Sequence, residues 1–117
     1  MATHHAAEGE VVCLKTWAND LAVEKSKVIT KASGLELARL VIDAGTDMHH
    51  STYCSVSGPI VIQCIEGEVI LKTTSTSSTI KPGELVYLNG GTEHALVGVK
   101  RSVVLLTIVL APTLTEE

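Results

Sequence analysis

Short runs of Val, Ile, Leu and Thr, bounded by turn-forming residues, divide most of the chain. Runs of this kind predict β-strands, and a series of them predicts a sandwich or a barrel. Glycine, asparagine and proline between the runs supply the backbone angles that tight turns need. No helical stripe of useful length is present, although residues 17–23 could form a short helix. The predicted strands are residues 22–30, 35–42, 60–65, 68–73, 85–88, 94–99 and 102–110.

Two of these runs, residues 60–62 and 103–108, are apolar at consecutive positions. Neighbouring residues of a strand point to opposite faces of the sheet, so both faces of these strands should be covered. The barrel interior would cover one face, and a second layer or a second copy of the chain would cover the other. The pattern therefore favours a homodimer.

The polar segments predict the organisation around these strands. Residues 1–20 are interpreted as an N-terminal arm, and residues 21–117 as a single domain of ordinary size. The Ser/Thr-rich residues 73–79 are predicted to be the tip of a hairpin. The chain begins without the apolar core of a signal peptide, so we expect a cytoplasmic protein.

Composition and charge exclude several classes of partner. The net charge is −4 and the nine Lys and Arg residues form no basic stripe, so we expect no nucleic acid. The longest apolar run spans residues 103–110, whereas a membrane helix needs about 20 residues, so we expect no membrane span. Three cysteines, an odd number, argue against a disulfide framework and predict reduced thiols.

Three histidines are candidates for chemistry. His49 and His50 follow the predicted strand 35–42, and His94 follows a glycine-rich turn and begins another strand. A β-barrel can bring such strand beginnings to one mouth. Cys64 shares the strand parity of Ile60 and Ile62, which predicts a position in the interior. The further candidates for lining a pocket are Tyr53, Cys54, Ile62, Cys64 and Tyr87.

Two segments resemble the motifs of the cupin superfamily. Residues 45–50 and 58–69 resemble the first motif, with a glycine, two histidines and a hairpin glycine, here Gly67. Residues 81–94 resemble the second motif, which runs through a proline and a glycine to a histidine, here His94. The similarity covers roughly residues 35–110. It implies an all-β cupin jelly-roll β-barrel (a double-stranded β-helix) with a small-molecule pocket, in which metal-binding members use three histidines and one glutamate.

The chain departs from that ligand set. The family's glutamate lies seven residues before the hairpin glycine, and this position is Ile60. His49 and His50 are adjacent instead of alternating, so only one of them can enter the pocket unless the strand carries a bulge. One interpretation is a reduced metal site for Zn, Fe, Ni or Mn, in which His94 joins one of these histidines. The other histidine, Cys54 or Asp47 would be a third ligand. The competing interpretation is that the histidines bind no metal and hydrogen-bond loops at the barrel mouth.

Three functions remain open on the sequence alone. The first is a metal-dependent enzyme of the dioxygenase or isomerase type that the resemblance implies. The second is a non-catalytic cupin that binds or senses a small molecule without metal. The third is a degenerate barrel kept for association with a partner. Fold by itself does not choose between them.

Overall fold

The computed structural model describes residues 6–16, 27–45 and 53–110. Every regular element in these ranges is a β-strand, which confirms the all-β prediction. The described ranges include no helix long and apolar enough to cross a membrane. The strands are β1 (Lys27–Ala32), β2 (Leu35–Ile42), β3 (Ile60–Glu66), β4 (Val69–Thr73), β5 (Ser77–Ile80), β6 (Leu85–Leu88), β7 (His94–Gly98) and β8 (Ser102–Val109).

Two antiparallel sheets make up the domain. The larger sheet has the order β1-β2-β8-β3-β6, and the smaller has the order β5-β4-β7. The chain passes between the sheets from β3 to β4, from β5 to β6, from β6 to β7 and from β7 to β8. From β3 onward the chain therefore contributes strands to both layers, with only β4 and β5 following each other within one sheet.

The strand β5 was not predicted, because its hydrophobic pattern is weak. The sequence predicts a hairpin tip over residues 73–79, but the turn ends at Thr76, whose carbonyl accepts a hydrogen bond from Thr73 N at 2.9 Å. Residues 77–79 are exposed and only Ile80 turns into the core. The other strands begin and end within one residue of prediction, except β1, which is described only from Lys27 onward.

Aliphatic side chains from both sheets meet in one core. Alternate residues of β3 point inward, so Ile60, Ile62 and Cys64 are buried while their neighbours are only partly covered. Burial of each such aliphatic side chain contributes about 1.5–3 kcal/mol. The core cluster comprises Ile42, Ile60, Ile62, Cys64, Val69, Leu71, Ile80, Leu96 and Val104.

Residues 6–16 form an arm that packs against the larger sheet on the face away from this core. Ala6 N donates to Ile29 O at 2.7 Å, which ties the beginning of the arm to β1. Arg39 is only 3% exposed, and its Nε donates to Leu14 O at 2.6 Å. Its Nη2 donates to Lys15 O at 2.8 Å. The arm therefore covers part of the outer apolar face that the consecutive apolar positions predict to be covered.

Candidate functional site

His94 is joined through its backbone to a segment 40 residues earlier in the chain. Its N donates to Cys54 O at 2.8 Å, and Cys54 N donates to His94 O at 2.9 Å. His94 also lies opposite Thr73 in the register of β7 with β4, at the other end of these strands from Gly67. This register places His94 at the end of the barrel where β3 begins with Ile60.

The imidazole of His94 is buried, with 4% of the residue exposed, and its orientation is defined. Nδ1 lies 3.1 Å from Thr92 O, and Nε2 lies 3.7 Å from Cys54 Sγ. A carbonyl oxygen only accepts hydrogen bonds, so Nδ1 must carry a proton and donate it. In the neutral ring, Nε2 is then the atom that carries the lone pair, and it faces the sulfur.

Cys54 presents a thiol to this nitrogen. The side chain is half-buried, and burial raises the pKa of the Cys54 thiol above its ordinary value. Without a bound cation the thiol is therefore neutral at pH 7, and its S–H can donate toward His94 Nε2. The same spacing also suits a shared metal ion, because tetrahedral bonds of 2.0 Å to nitrogen and 2.3 Å to sulfur separate the two donors by about 3.5 Å.

The three thiols of the chain are unlike one another. Cys13 is exposed on the arm, and hydrogen bonds from the Thr16 side chain and from the backbone of Lys15 lower its pKa. Cys64 is fully buried, and desolvation raises its pKa. Because the thiolate is the reactive form, Cys13 has the most reactive environment and Cys64 the least.

The predicted metal ligands are tested only in part. His49 and His50 lie outside the described residues, as does Asp47, so their approach to His94 stays a prediction. Among the residues that the structure describes, no group of three or more His, Cys, Asp and Glu side chains converges as a metal site would. Ile60 is buried in the core cluster, so its position provides an apolar contact and no acidic donor.

The predicted pocket residues separate into three places. Tyr53 precedes Cys54, and its hydroxyl lies 3.5 Å from Thr73 O, which puts it beside His94. Ile62 and Cys64 lie in the core cluster between the sheets. Tyr87 lies instead on the outer face of β6, 56% exposed, because its neighbours Val86 and Leu88 are the ones that turn toward the core.

Sequence reasoning did not select the apolar rim at the His94 end. Val56, Leu88 and Ile108 are partly buried and pack against the core cluster. The register pairs Ile60 with both Leu88 and Ile108, which places this rim at the same end as His94. Strand parity with Ile60 was the signal that could have found Leu88 and Ile108. The site thus combines one imidazole, one thiol and an apolar rim.

Neither a protein-family model nor a curated protein matches the sequence, but solved structures do. A cupin superfamily protein from Desulfitobacterium hafniense matches with a TM-score of 0.75 and 10% identity, over 95% of this chain and 100% of that chain. An RmlC-like cupin from Desulfovibrio desulfuricans matches with a TM-score of 0.65 and 19% identity, over 93% and 96%. A conserved protein of unknown function from Streptococcus pyogenes has a TM-score of 0.67 and 18% identity, over 75% of each chain. These likenesses show that the chain has the cupin fold.

Proposed function

Starting from the cupin fold, we propose that this protein binds a small molecule at the His94 end of the barrel through a divalent metal ion. His94 and Cys54 would hold the metal together with one or both of His49 and His50. The observation that carries the proposal is the 3.7 Å separation between His94 Nε2 and Cys54 Sγ. Two donors on one tetrahedral ion are expected to lie about 3.5 Å apart, which is close to this distance.

The environment of His94 supports the role of a ligand. Metal-binding histidines commonly donate their other ring N–H to a carbonyl or carboxylate, which holds the ring and sets the tautomer. The Nδ1 contact with Thr92 O has this form. Cys54 would provide the anionic donor that Ile60 cannot. A thiolate favours zinc, iron or nickel over manganese, which prefers oxygen ligands.

Such a site would leave room for a ligand. A divalent ion with three protein donors keeps an open position, where it can polarise a bound oxygen. The apolar rim of Val56, Leu88 and Ile108 would pack against the carbon skeleton of the small molecule and limit access of water. Isomerase- and dioxygenase-type reactions are the activities to assay, because the resemblance to cupins implies them.

Metal content tests this proposal. We expect about one equivalent of zinc, iron or nickel in the purified protein, measured by plasma mass spectrometry after dialysis. Equilibrium dialysis should show the affinity falling about 100-fold or more in His94→Ala and in Cys54→Ala, since each loses a donor and loss of a hydrogen-bond partner of a ligand alone costs about 10–100-fold. Cys13→Ala is the matched control, because Cys13 lies exposed on the arm. Wild-type protein that takes up no metal, or a His94→Ala variant that binds as tightly, would contradict the proposal.

A metal-free binding module is the second candidate function. It is favoured by the 3.7 Å contact between Cys54 Sγ and His94 Nε2, in which a neutral thiol can donate to the ring nitrogen without any ion. Burial raises the pKa of the Cys54 thiol, which agrees with the neutral form. The same measurements distinguish the two functions. Protein that stays metal-free in dialysis but gains thermal stability with a metabolite would support this second candidate.

We also propose a homodimer that buries the outer face of β3 and β6. Leu85 and Tyr87 are 57% and 56% exposed there, and Val61 lies opposite Tyr87 in the register. Such an apolar patch favours a two-fold contact with a second copy. Sedimentation should give twice the chain mass of 12.4 kDa. We expect Leu85→Glu to be a monomer and Ser78→Glu, on the exposed strand β5, to remain a dimer. A monomeric wild type would refute the dimer.

A further inference from the structure

A cavity lies between the arm and the outer face of the larger sheet, and neither His94 nor Cys54 lines it. It has a volume of about 580 Å³. Ile29, Leu37 and Leu105 form its floor, and Val12 and Leu14 of the arm form its roof. Leu105 points away from the core, since its neighbours along β8, Val104 and Leu106, pack against it. Leu37 lies on the same outer face, because it alternates with Arg39, whose register partner is Leu105. The cavity is therefore separate from the barrel interior.

The roof of this cavity is held at both ends. Ala6 N donates to Ile29 O at 2.7 Å, and the Arg39 guanidinium donates to Leu14 O and Lys15 O. Between these anchors the arm makes a turn, in which Glu10 N donates to Ala7 O at 2.9 Å. The arm thus spans the sheet and leaves a defined space beneath it. A volume of this size lies within the range of about 300–1,000 Å³ that small-molecule pockets have.

The charged side chains among the described residues that line the cavity are acidic. Glu8 and Glu10 contribute carboxylates, and Thr30 contributes a hydroxyl. No Lys, Arg or His belongs to the described residues that line the cavity. Glu10 Oε1 accepts a hydrogen bond from Ala7 N at 2.8 Å, which holds the Glu10 carboxylate against the backbone of the arm. A ligand with an apolar body and a positively charged head complements both the apolar floor and the carboxylates of Glu8 and Glu10.

We propose that the cavity under the arm binds a small cationic amphiphile, namely an alkyl or aryl ammonium compound. Its apolar part lies against Leu37 and Leu105, and its ammonium group lies near the carboxylates of Glu8 and Glu10. A second copy of the chain is a less suitable occupant. A two-fold contact here would bring the same two glutamates of both copies together, in a chain whose net charge is already −4.

Calorimetry with three probes of equal chain length tests the charge preference. Decyltrimethylammonium, decanol and decanoate would each be titrated below the concentration at which they form micelles. We expect one site per chain, with affinity highest for the ammonium and lowest for the carboxylate. In the double variant Glu8→Gln/Glu10→Gln, ammonium binding should weaken about 10-fold and decanol binding should stay unchanged, because Gln keeps the acceptor that Ala7 N needs. Equal or tighter binding of decanoate to the wild type overturns the proposal.

A second pair of variants tests the location. Ala32 is exposed and lines the cavity, whereas the next residue, Ser33, is exposed and does not. Ala32→Trp should fill the space and abolish ammonium binding, and Ser33→Trp should leave it intact. Binding that survives in Ala32→Trp refutes the location. A change from dimer to monomer in Ala32→Trp alone would show that a second copy occupies the cavity, which also overturns the proposal. Binding must persist in His94→Ala, so failure of the metal site does not affect this test.

Discussion

Gly67→Ala is expected to lower the free energy of unfolding by about 3 kcal/mol or more. The control variant Gly34→Ala should lower it by only about 1 kcal/mol. Both glycines have a φ of +87°, where any other residue is strained. They differ in space, because a Cβ at Gly34 meets nothing within 4 Å. At Gly67 a Cβ would lie 2.5 Å from Arg101 O and 2.7 Å from Ser102 Cα. Urea denaturation of both variants measures the difference.

The contacts of Gly67 are with backbone atoms that cannot move independently. The turn at Gly67 carries the chain from β3 in the larger sheet to β4 in the smaller one. Ser102 is fully buried beside it, where its Oγ accepts from Glu68 N at 2.9 Å and lies 2.7 Å from Lys100 O. Displacing Ser102 would break these hydrogen bonds in the interior, where each unmade bond costs about 1–3 kcal/mol. Equal losses in the two alanine variants would show that strain alone, and not this close approach, limits the position.

Arg39→Met should release the N-terminal arm and lower the free energy of unfolding by about 2 kcal/mol. Methionine keeps an apolar stem of similar length but removes the donors that reach Leu14 O and Lys15 O. Hydrogen bonds from a charged group each contribute about 1.5–3 kcal/mol. Burial lowers the pKa of the Arg39 guanidinium, and the relief of that desolvation offsets part of the loss. The two short hydrogen bonds outweigh this relief, so we expect a net destabilisation.

Cleavage after Lys15 by a lysine-specific protease reports directly on release of the arm. A local loss of about 2 kcal/mol corresponds to cleavage about 30-fold faster, when opening is rapid relative to cutting. Arg101→Met is the matched control. Arg101 makes an exposed contact of 3.8 Å with Asp43, and such pairs contribute little. If both variants were cleaved at the wild-type rate, the arm would not depend on Arg39.

The strands could be predicted because their pattern is local. Runs rich in Val, Ile and Leu in Ile60–Glu66 and Ser102–Val109 indicate strands whatever they pair with. The strand Ser77–Ile80 was not predicted, since only one buried residue, Ile80, distinguishes it from a polar turn. The boundary between arm and domain near residue 20 stays a prediction, because residues 17–26 lie outside the described ranges.

The candidate site was predictable only by its residue types. His94 was selected from its place after a glycine-rich turn and from the resemblance to cupins. The bridge that brings Cys54 against it depends on pairing across 40 residues, which no local pattern contains. Tyr87 illustrates the converse: aromatic character suggested a pocket, but strand parity directs the ring to the outer face of β6.

The sequence by itself determined that this chain forms short strands with an aliphatic core, because strand formation follows from side-chain type at alternating positions and from turn residues between them. Only the tertiary structure decided that an imidazole and a thiol share one end of the barrel and that the arm encloses a cavity on the outer face. Both features arise from contacts between distant segments, whose geometry is set by sheet order and register. Sheet order and register are properties of the whole fold, and no short segment of the sequence determines them.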